Sequence, residues 1–199
     1  MSEIAFNLVS EHSEAKCVWE DYDNENYRRD QSHWRGCGRW KDDNAWQSIG
    51  RSTKNNIELV FSYIGKKLDK SEKLCFLEWG PGGGANVFGL RDYSYRYYGV
   101  DISEKNLAEA SRMISEEGYA NIFEPIHLSN QPNDVLVKID RKVDVFISTA
   151  VFQHFPSKAY GAEVLKLISQ ILSPDGVGVV QIRFDNGNPR FKPIESLAL

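Results

Sequence analysis

The stretch that decides the fold reads Leu74-Cys75-Phe76-Leu77-Glu78-Trp79-Gly80-Pro81-Gly82-Gly83-Gly84-Ala85-Asn86-Val87. An apolar run leads into an acid, then glycines at alternate positions, then a helix start. Glycine lacks a Cβ, so such a turn can be tight and can let another group approach bare backbone. At the carboxyl end of a buried strand, this is where an open α/β sheet forms its ligand crevice. A second acid, Asp101, ends the next apolar run, Tyr95–Asp101, 21 residues after Gly80. A carboxylate placed there can accept both hydroxyl protons of a ribose.

Two ligand types compete for this loop. A nicotinamide-binding fingerprint, G-x-G-x-x-G, wants a third glycine at position 85, where Ala85 stands. The other reading turns on Glu78, because an acid ahead of the glycines repels a pyrophosphate but not a cation. Glu78-Trp79-Gly80-Pro81-Gly82-Gly83-Gly84, an acid followed by G-x-G-x-G, resembles the first motif of the class I S-adenosylmethionine-dependent methyltransferases. A glycine-rich turn with no ligand is the plain alternative. The order strand, acid, glycines, helix, second acid argues against it.

The resemblance covers about residues 48–184. Tyr98-Gly99-Val100-Asp101-Ile102-Ser103 is similar to the family's second motif, with Asp101 as the ribose ligand. Val143–Thr149 is similar to the fourth strand, and Thr149-Ala150-Val151-Phe152-Gln153-His154-Phe155 to the segment beside the methyl group. Leu172-Ser173-Pro174-Asp175-Gly176 resembles the turn before the fifth strand. What this implies is a Rossmann-like, doubly wound, mostly parallel α/β sheet of order 3-2-1-4-5. It also implies S-adenosylmethionine as cofactor, S-adenosylhomocysteine as product, and cofactor contacts from Glu78, Gly80, Pro81, Gly82, Gly84, Asp101, Ile102 and Thr149. The segment Pro125–Asn130 lacks the acid that many members set against the adenine amino group, so Leu128, Ser129 or Asn130 must serve. The family usually continues past the fifth strand with a helix and a two-strand hairpin. Asp185–Leu199 is too short for both, so the hairpin strands are expected to be missing or shortened.

Outward from the loop, strands and helices alternate. Ile122–Leu128, Val143–Thr149 and Val177–Phe184 read as further strands. Ile49, Thr53, Ile57, Val60, Phe61 and Ile64 recur at helical spacing, with Gly65 as a stop. Ser103 can cap a helix carrying Leu107, Ala110 and Ile114 inward, closed by Gly118. Ser157 can cap another, with Val164, Leu165, Ile168, Ile171 and Leu172 inward. Ser173–Gly176 has turn chemistry. This alternation predicts a parallel sheet with helices on both faces.

Residues 1–47 lack a clear period and read as a cap or lid over the domain formed by residues 48–199. Trp19, Tyr22, Tyr27, Trp34, Trp40 and Trp46 are interleaved there with Arg28, Arg29, Arg35 and Arg39. Three readings stand. As a lid, Trp34, Arg35, Trp40 and Trp46 would meet substrate, with Arg35 or Arg39 pairing with the methionine carboxylate or an anionic substrate. As a stacking surface, the arm would take single-stranded RNA. As a packed helix, its Arg stems would lie over Trp rings.

Methyl transfer from a sulfonium is an in-line displacement whose thioether leaves without a proton. A base is needed only when the acceptor carries one. His154 follows the fourth strand at the crevice end and is the candidate base, imidazole titrating near ~6.5. Its plain alternative is packing under the cofactor or bonding a carbonyl. Gln153 beside it is assigned to the substrate side. His127 reads as structural, and His12 and His33 have no assigned partner. No His, Cys and carboxylate set has metal-ligand spacing, so no metal is expected.

The bulk numbers set the frame. A chain of 199 residues with 41% hydrophobic and 26% charged residues suits one globular domain. A net charge of −4 supplies no basic field, which disfavours nucleic acid as a partner. Three cysteines without C-x-x-C argue against a disulfide framework or zinc ribbon. The N-terminus lacks an apolar signal region, and no stretch reaches the ~18 apolar residues of a membrane span, so a cytoplasmic location is expected. The expected reaction is O- or N-methylation of a small-molecule acceptor, with a homodimer left open. The rival readings are a non-catalytic S-adenosylmethionine-binding scaffold and a nicotinamide-dependent oxidoreductase.

Overall fold

The structure is a computed structural model that describes residues 3–20, 23–129 and 131–182. Its centre is one five-stranded sheet in the order β3-β2-β1-β4-β5. The strands are β1 (Leu74–Trp79), β2 (Ser94–Asp101), β3 (Phe123–His127), β4 (Val143–Thr149) and β5 (Leu172–Gln181), and every described pairing is parallel. The helices are α1 (Glu3–Trp19), α2 (Glu25–Gln31), α3 (Asp43–Tyr63), α4 (Ala85–Leu90), α5 (Glu104–Glu116) and α6 (Lys158–Ile171).

β1 lies between two strands and is covered on both faces, which is why it reads as an unbroken apolar run. Its side chains alternate between two cores. Cys75, Leu77 and Trp79 pack with Tyr98, Val100 and the α6 residues Val164 and Ile168. Phe76 packs with Tyr97, Val145 and residues of α3, α4 and α5, among them Ile57, Val87 and Ile114. The ladder puts Glu78 opposite Gly99 and Ile147, so the tips of β1, β2 and β4 open at one end of the sheet.

Local chemistry ends the helices where the sequence says. Ser103 Oγ accepts from the Asn106 amide at 3.2 Å and Ser157 Oγ from that of Tyr160 at 3.1 Å. Gly65 and Gly118 take φ of +71° and +82° just past α3 and α5. Four details differ from the sequence reading. α3 starts at Asp43, capped by Asp42, so Trp46 belongs to the core and is fully buried. The poorly periodic N-terminus carries the 17-residue helix α1. Leu165 is 48% exposed, because it sits beside the Val164, Leu167, Ile168 and Ile171 stripe, and Ile64 is likewise exposed beyond the end of α3. Ser173–Gly176 falls inside a register jump, since Val143 pairs with Leu172 but Val145 with Val177. The turn is thus an excursion within one strand rather than the approach to it.

β5 ends at Gln181 among the described residues. Ile182 is described but lies outside the strand, whereas Arg183 and Phe184 of the expected fifth strand, the expected loss of hairpin strands, Tyr22 and Asn130 lie outside the described residues. No described helix is long and apolar enough to cross a membrane.

Candidate active site

The glycine turn leaves β1 with positive φ at Gly80, Gly82 and Gly84: +79°, +52° and +84°. The Gly80 amide donates to Val100 O at 2.7 Å, tying the turn to the tip of β2. What covers the bare backbone is partly the chain itself. A Cβ on Gly82 would stand 2.4 Å from Ser32 O, and the Gly83 amide donates to that same carbonyl at 2.7 Å. A Cβ on Gly84 would strike Met113 and Ala110 of α5. The glycines therefore serve three close approaches, by Val151 at Gly80, by the N-terminal segment at Gly82 and Gly83, and by α5 at Gly84, besides opening toward the crevice.

The two acids take different stations. Glu78 is buried inside the protein. Its Oε1 accepts from Asn86 Nδ2 at 2.6 Å and its Oε2 from the Tyr97 hydroxyl at 2.8 Å. Burial pushes its carboxyl up to about 7, against the pull of those two hydrogen bonds. Asn86 Nδ2 also reaches Thr149 Oγ1 at 3.0 Å, so Glu78 braces the start of α4 and the tip of β4. Asp101 instead borders the open cleft. Its Oδ1 accepts from the Ser103 amide at 2.9 Å and its Oδ2 from Asn106 Nδ2 at 3.5 Å. Burial pushes it up to about 6, opposed by bonds from Ser103, Asn106, Gly82 and Ile102.

The cleft is partly open to solvent and lies at the carboxyl ends of β1, β2 and β4. Of the residues assigned to the site from sequence, Gly80, Gly82, Asp101, Ile102, Leu128, Thr149 and His154 stand on its wall. Glu78, Pro81, Gly84 and Gln153 do not. Pro81 packs beside Gly99, and Gln153 Nε2 lies 3.2 Å from His154 Nε2. Ser129 is exposed and off the wall. His154 ends a short 3₁₀ turn, Phe152–His154, with the Trp19 ring edge-on at 5.0 Å. Among the described residues two non-glycines have positive φ, His33 (+57°) and Ala150 (+59°), and both line this cleft. Strained backbone of this kind gathers where a fold must hold a site open.

The arm contributes differently from the sequence expectation. Trp34, Arg35, Trp40, Trp46 and Arg39 are absent from the cleft wall. Arg39 Nε pairs with Asp30 at 2.9 Å. Arg35 bridges Asp43 at 2.5 Å and Glu117 at 2.8 Å, with its guanidinium 5.2 Å from the Trp46 ring. Trp46 Nε1 donates to His33 O at 2.8 Å and Trp40 Nε1 to Asp30 O at 2.7 Å. Arg28 and Arg29 stack on Trp34, and Arg39 on Trp40. The reading with Arg stems over Trp rings describes what these residues do: they hold the cap down. The residues the cap presents to the cleft are Ala15, Trp19, Gln31, Ser32 and His33. Burial and the nearby Arg39 press the His33 imidazole down to about 4.

Sequence reasoning missed His12, Asn86 and Asn106. His12 is buried, with Nε2 3.0 Å from Leu128 O and Nδ1 3.1 Å from the Tyr160 hydroxyl, which fastens α1 to the sheet tip and to α6. His127, read as structural, has Nδ1 3.0 Å from Glu104 and Nε2 3.2 Å from Ile102 O. Asn106 carried one legible signal, as the third residue of the helix that starts just past Asp101. Side chains in a helix lean back toward its N-terminus, here toward the acid.

Comparison with known proteins agrees with this geometry. A family model described as a methyltransferase domain matches residues 77–180, just over half of the chain. Magnesium protoporphyrin IX methyltransferase from Synechocystis PCC 6803, solved with bound S-adenosylmethionine, superposes with a TM-score of 0.54 at 21% identity, covering 80% of this chain and 72% of that one. Lower similarity links the chain to the precorrin-8w decarboxylase of Methanobacterium thermoautotrophicum (TM-score 0.47, 17% identity, 58% of each chain). A methyltransferase from Clostridium acetobutylicum ATCC 824 gives a TM-score of 0.45 at 20% identity, over 53% of this chain and 41% of that one. The chain thus spans about half the length of these last two proteins. No curated protein sequence matches it. The match from Leu77 to Val180 and the 3-2-1-4-5 parallel sheet make this chain a member of the class I S-adenosylmethionine-dependent methyltransferase family.

Proposed function

We propose that the cleft binds S-adenosylmethionine and that the chain transfers its methyl group to a small-molecule acceptor. The observation that carries this is Asp101, a buried carboxylate bordering the cleft beside the bare turn Gly80–Gly82. The donor set fits the group. Asp101 is the one carboxylate on the described wall, suited to ribose hydroxyls, and no Lys or Arg stands there to neutralise a pyrophosphate. Leu128 and Ile102 supply an apolar rim next to Asp101, suited to an adenine face. Bound there, S-adenosylmethionine supplies an electrophilic methyl on a cationic sulfur.

The chain's own residues then orient and shield. Trp19, Val151, Phe155 and Tyr160 make the wall largely apolar, which excludes water and aligns an acceptor. His154 reaches the same space and is the residue proposed to take a proton from a hydroxyl or amine acceptor. An acceptor that is already ionised needs no such step. Calorimetric titration with S-adenosylmethionine, S-adenosylhomocysteine and NAD tests the cofactor, with binding of the first two and not the third expected. Methyl release into a metabolite extract tests turnover. His154→Gln should then slow it by about 10²–10⁴ at unchanged cofactor affinity, and abolish the rise of rate with pH that a neutral imidazole produces. Wild-type rate and profile in that variant would remove His154 from the chemistry.

A further inference from the structure

We propose that Asn106 is a positioning residue that couples docking of the N-terminal cap to the cofactor-facing carboxylate of Asp101. The inference rests on the reading of the cleft as an S-adenosylmethionine site.

Asn106 is 3% exposed, lines the cleft beside Asp101 and is bonded to both the cap and that carboxylate. Its Oδ1 accepts from Trp34 Nε1 at 3.0 Å and from Arg28 Nη1 at 3.3 Å. An indole N–H and a guanidinium can only donate, so they dictate which end of the amide faces the cap. The NH2 end is left facing Asp101, with Nδ2 3.5 Å from Oδ2, the long end of hydrogen-bond reach. Flipping the amide would set N–H groups against two donors and an oxygen against a carboxylate. The cap therefore decides the direction in which Asn106 donates.

Arg28 adds a reason for the arrangement. Its side chain is 2% exposed, yet its nearest carboxylate is the exposed Glu25, 3.8 Å from Nη2. Nη2 has no hydrogen-bond partner among the described residues. A buried cation needs compensation, and the bonded route from this one runs through Asn106 to Asp101. Neither Arg28 nor Trp34 lines the cleft, so an effect of either on cofactor affinity has to travel. The coupling is reciprocal: a docked cap orients Asp101 for the ribose, and a bound ribose favours the docked cap.

The test is calorimetric titration with S-adenosylhomocysteine and with its 2′-deoxyribose analogue. Asn106→Asp keeps an acceptor for Arg28 and Trp34 but replaces the donor facing Asp101 with a second acceptor. It should weaken S-adenosylhomocysteine about tenfold or more and erase most of the preference over the deoxy analogue. Trp34→Phe keeps the ring and removes only the N–H. It should weaken S-adenosylhomocysteine several-fold, again more than the analogue, and have no further effect in an Asn106→Ala background. If Asn106→Asp does not fold, the Trp34→Phe cycle decides. Wild-type affinity and preference in Trp34→Phe, or equal losses for both ligands, would overturn the coupling alone. A wild-type protein that binds neither ligand would overturn the reading of the cleft and the coupling with it.

Discussion

The cleft has two walls of different origin. One is the sheet, where the tips of β1, β2 and β4 present Gly80, Asp101 and Thr149. These positions are set by a ladder of backbone hydrogen bonds with Phe76, Leu77 and Tyr98 fully buried behind it. The other wall is the cap, which presents Ala15, Trp19 and Gln31–His33. It is held by separate polar contacts: Ser32 O on the Gly83 amide, Trp46 Nε1 on His33 O, Trp34 Nε1 on Asn106 and His12 on Leu128 O. A ladder shares its load among many bonds, whereas a set of single contacts can be undone one at a time. On the proposed function, the same small molecule would meet one wall fixed by a ladder and one fixed by single contacts.

The sharpest break in this comparison is Gly82→Val, at the point where the walls touch. The new side chain meets Ser32 O at 2.4 Å from Cβ alone, on a backbone with φ of +52°. The cap should lift, and S-adenosylhomocysteine affinity should fall at least about 100-fold, with strain of roughly 1–3 kcal/mol added to the lost contacts. Circular dichroism should still report the sheet. Retained affinity would mean that the cap takes no part in the site.

Next in size is a contrast within the sheet wall. Asp101→Asn should weaken the cofactor by about 10–100-fold, the worth of a charged hydrogen-bond acceptor. Glu78→Gln should leave binding within a few-fold, because Glu78 faces Asn86 and Tyr97 rather than the cleft. Equal losses in the two variants, measured by titration, would erase the distinction drawn between the acids.

The acids also set opposite pH trends. In the unfolded chain both ionise near ~4, and folding raises Asp101 to about 6 and Glu78 to about 7. The folded state therefore binds more protons between those limits. Their contribution to stability is present at low pH and lost as pH rises through about 6 and 7. Ribose recognition runs the other way, since ionised Asp101 accepts both hydroxyls. Thermal melts of the free protein should show this fall, with the upper part removed by Glu78→Gln, while S-adenosylhomocysteine affinity rises through pH about 6. Parallel trends would show that Asp101 is not the ribose acceptor.

The smallest effect should come from a glycine of the cap where an added Cβ would meet nothing. Gly36 has φ of +80° and open space where a Cβ would go. Gly36→Ala should cost about 1 kcal/mol in a denaturant melt, from backbone conformation alone, with cofactor affinity unchanged. A larger loss, or lost binding, would show that residue 36 takes part in seating the cap.

The residues that could be read without a structure are those whose roles are local or periodic. The strand before Gly80, the positive-φ glycines, the Ser103 and Ser157 caps and the spacing from Gly80 to Asp101 all follow from interactions a few residues apart or from an alternating apolar pattern. They carried the parallel sheet and the sheet wall of the cleft, while the strand order was what the family resemblance implied. Glu78 shows the limit of such reading: its motif was legible, but its direction, away from the cleft and onto Asn86 and Tyr97, was not. The cap was less legible still. Its tryptophans and arginines looked like substrate contacts, yet they stack on one another and on the core, and other residues of the same segment reach the cleft. What decides their orientation is pairing over long separations, 72 residues between Trp34 and Asn106 and 148 between His12 and Tyr160. Nothing in the local sequence encodes such a pair, because each donor has many acceptors within its reach until packing of the sheet and helices brings one of them to 3 Å.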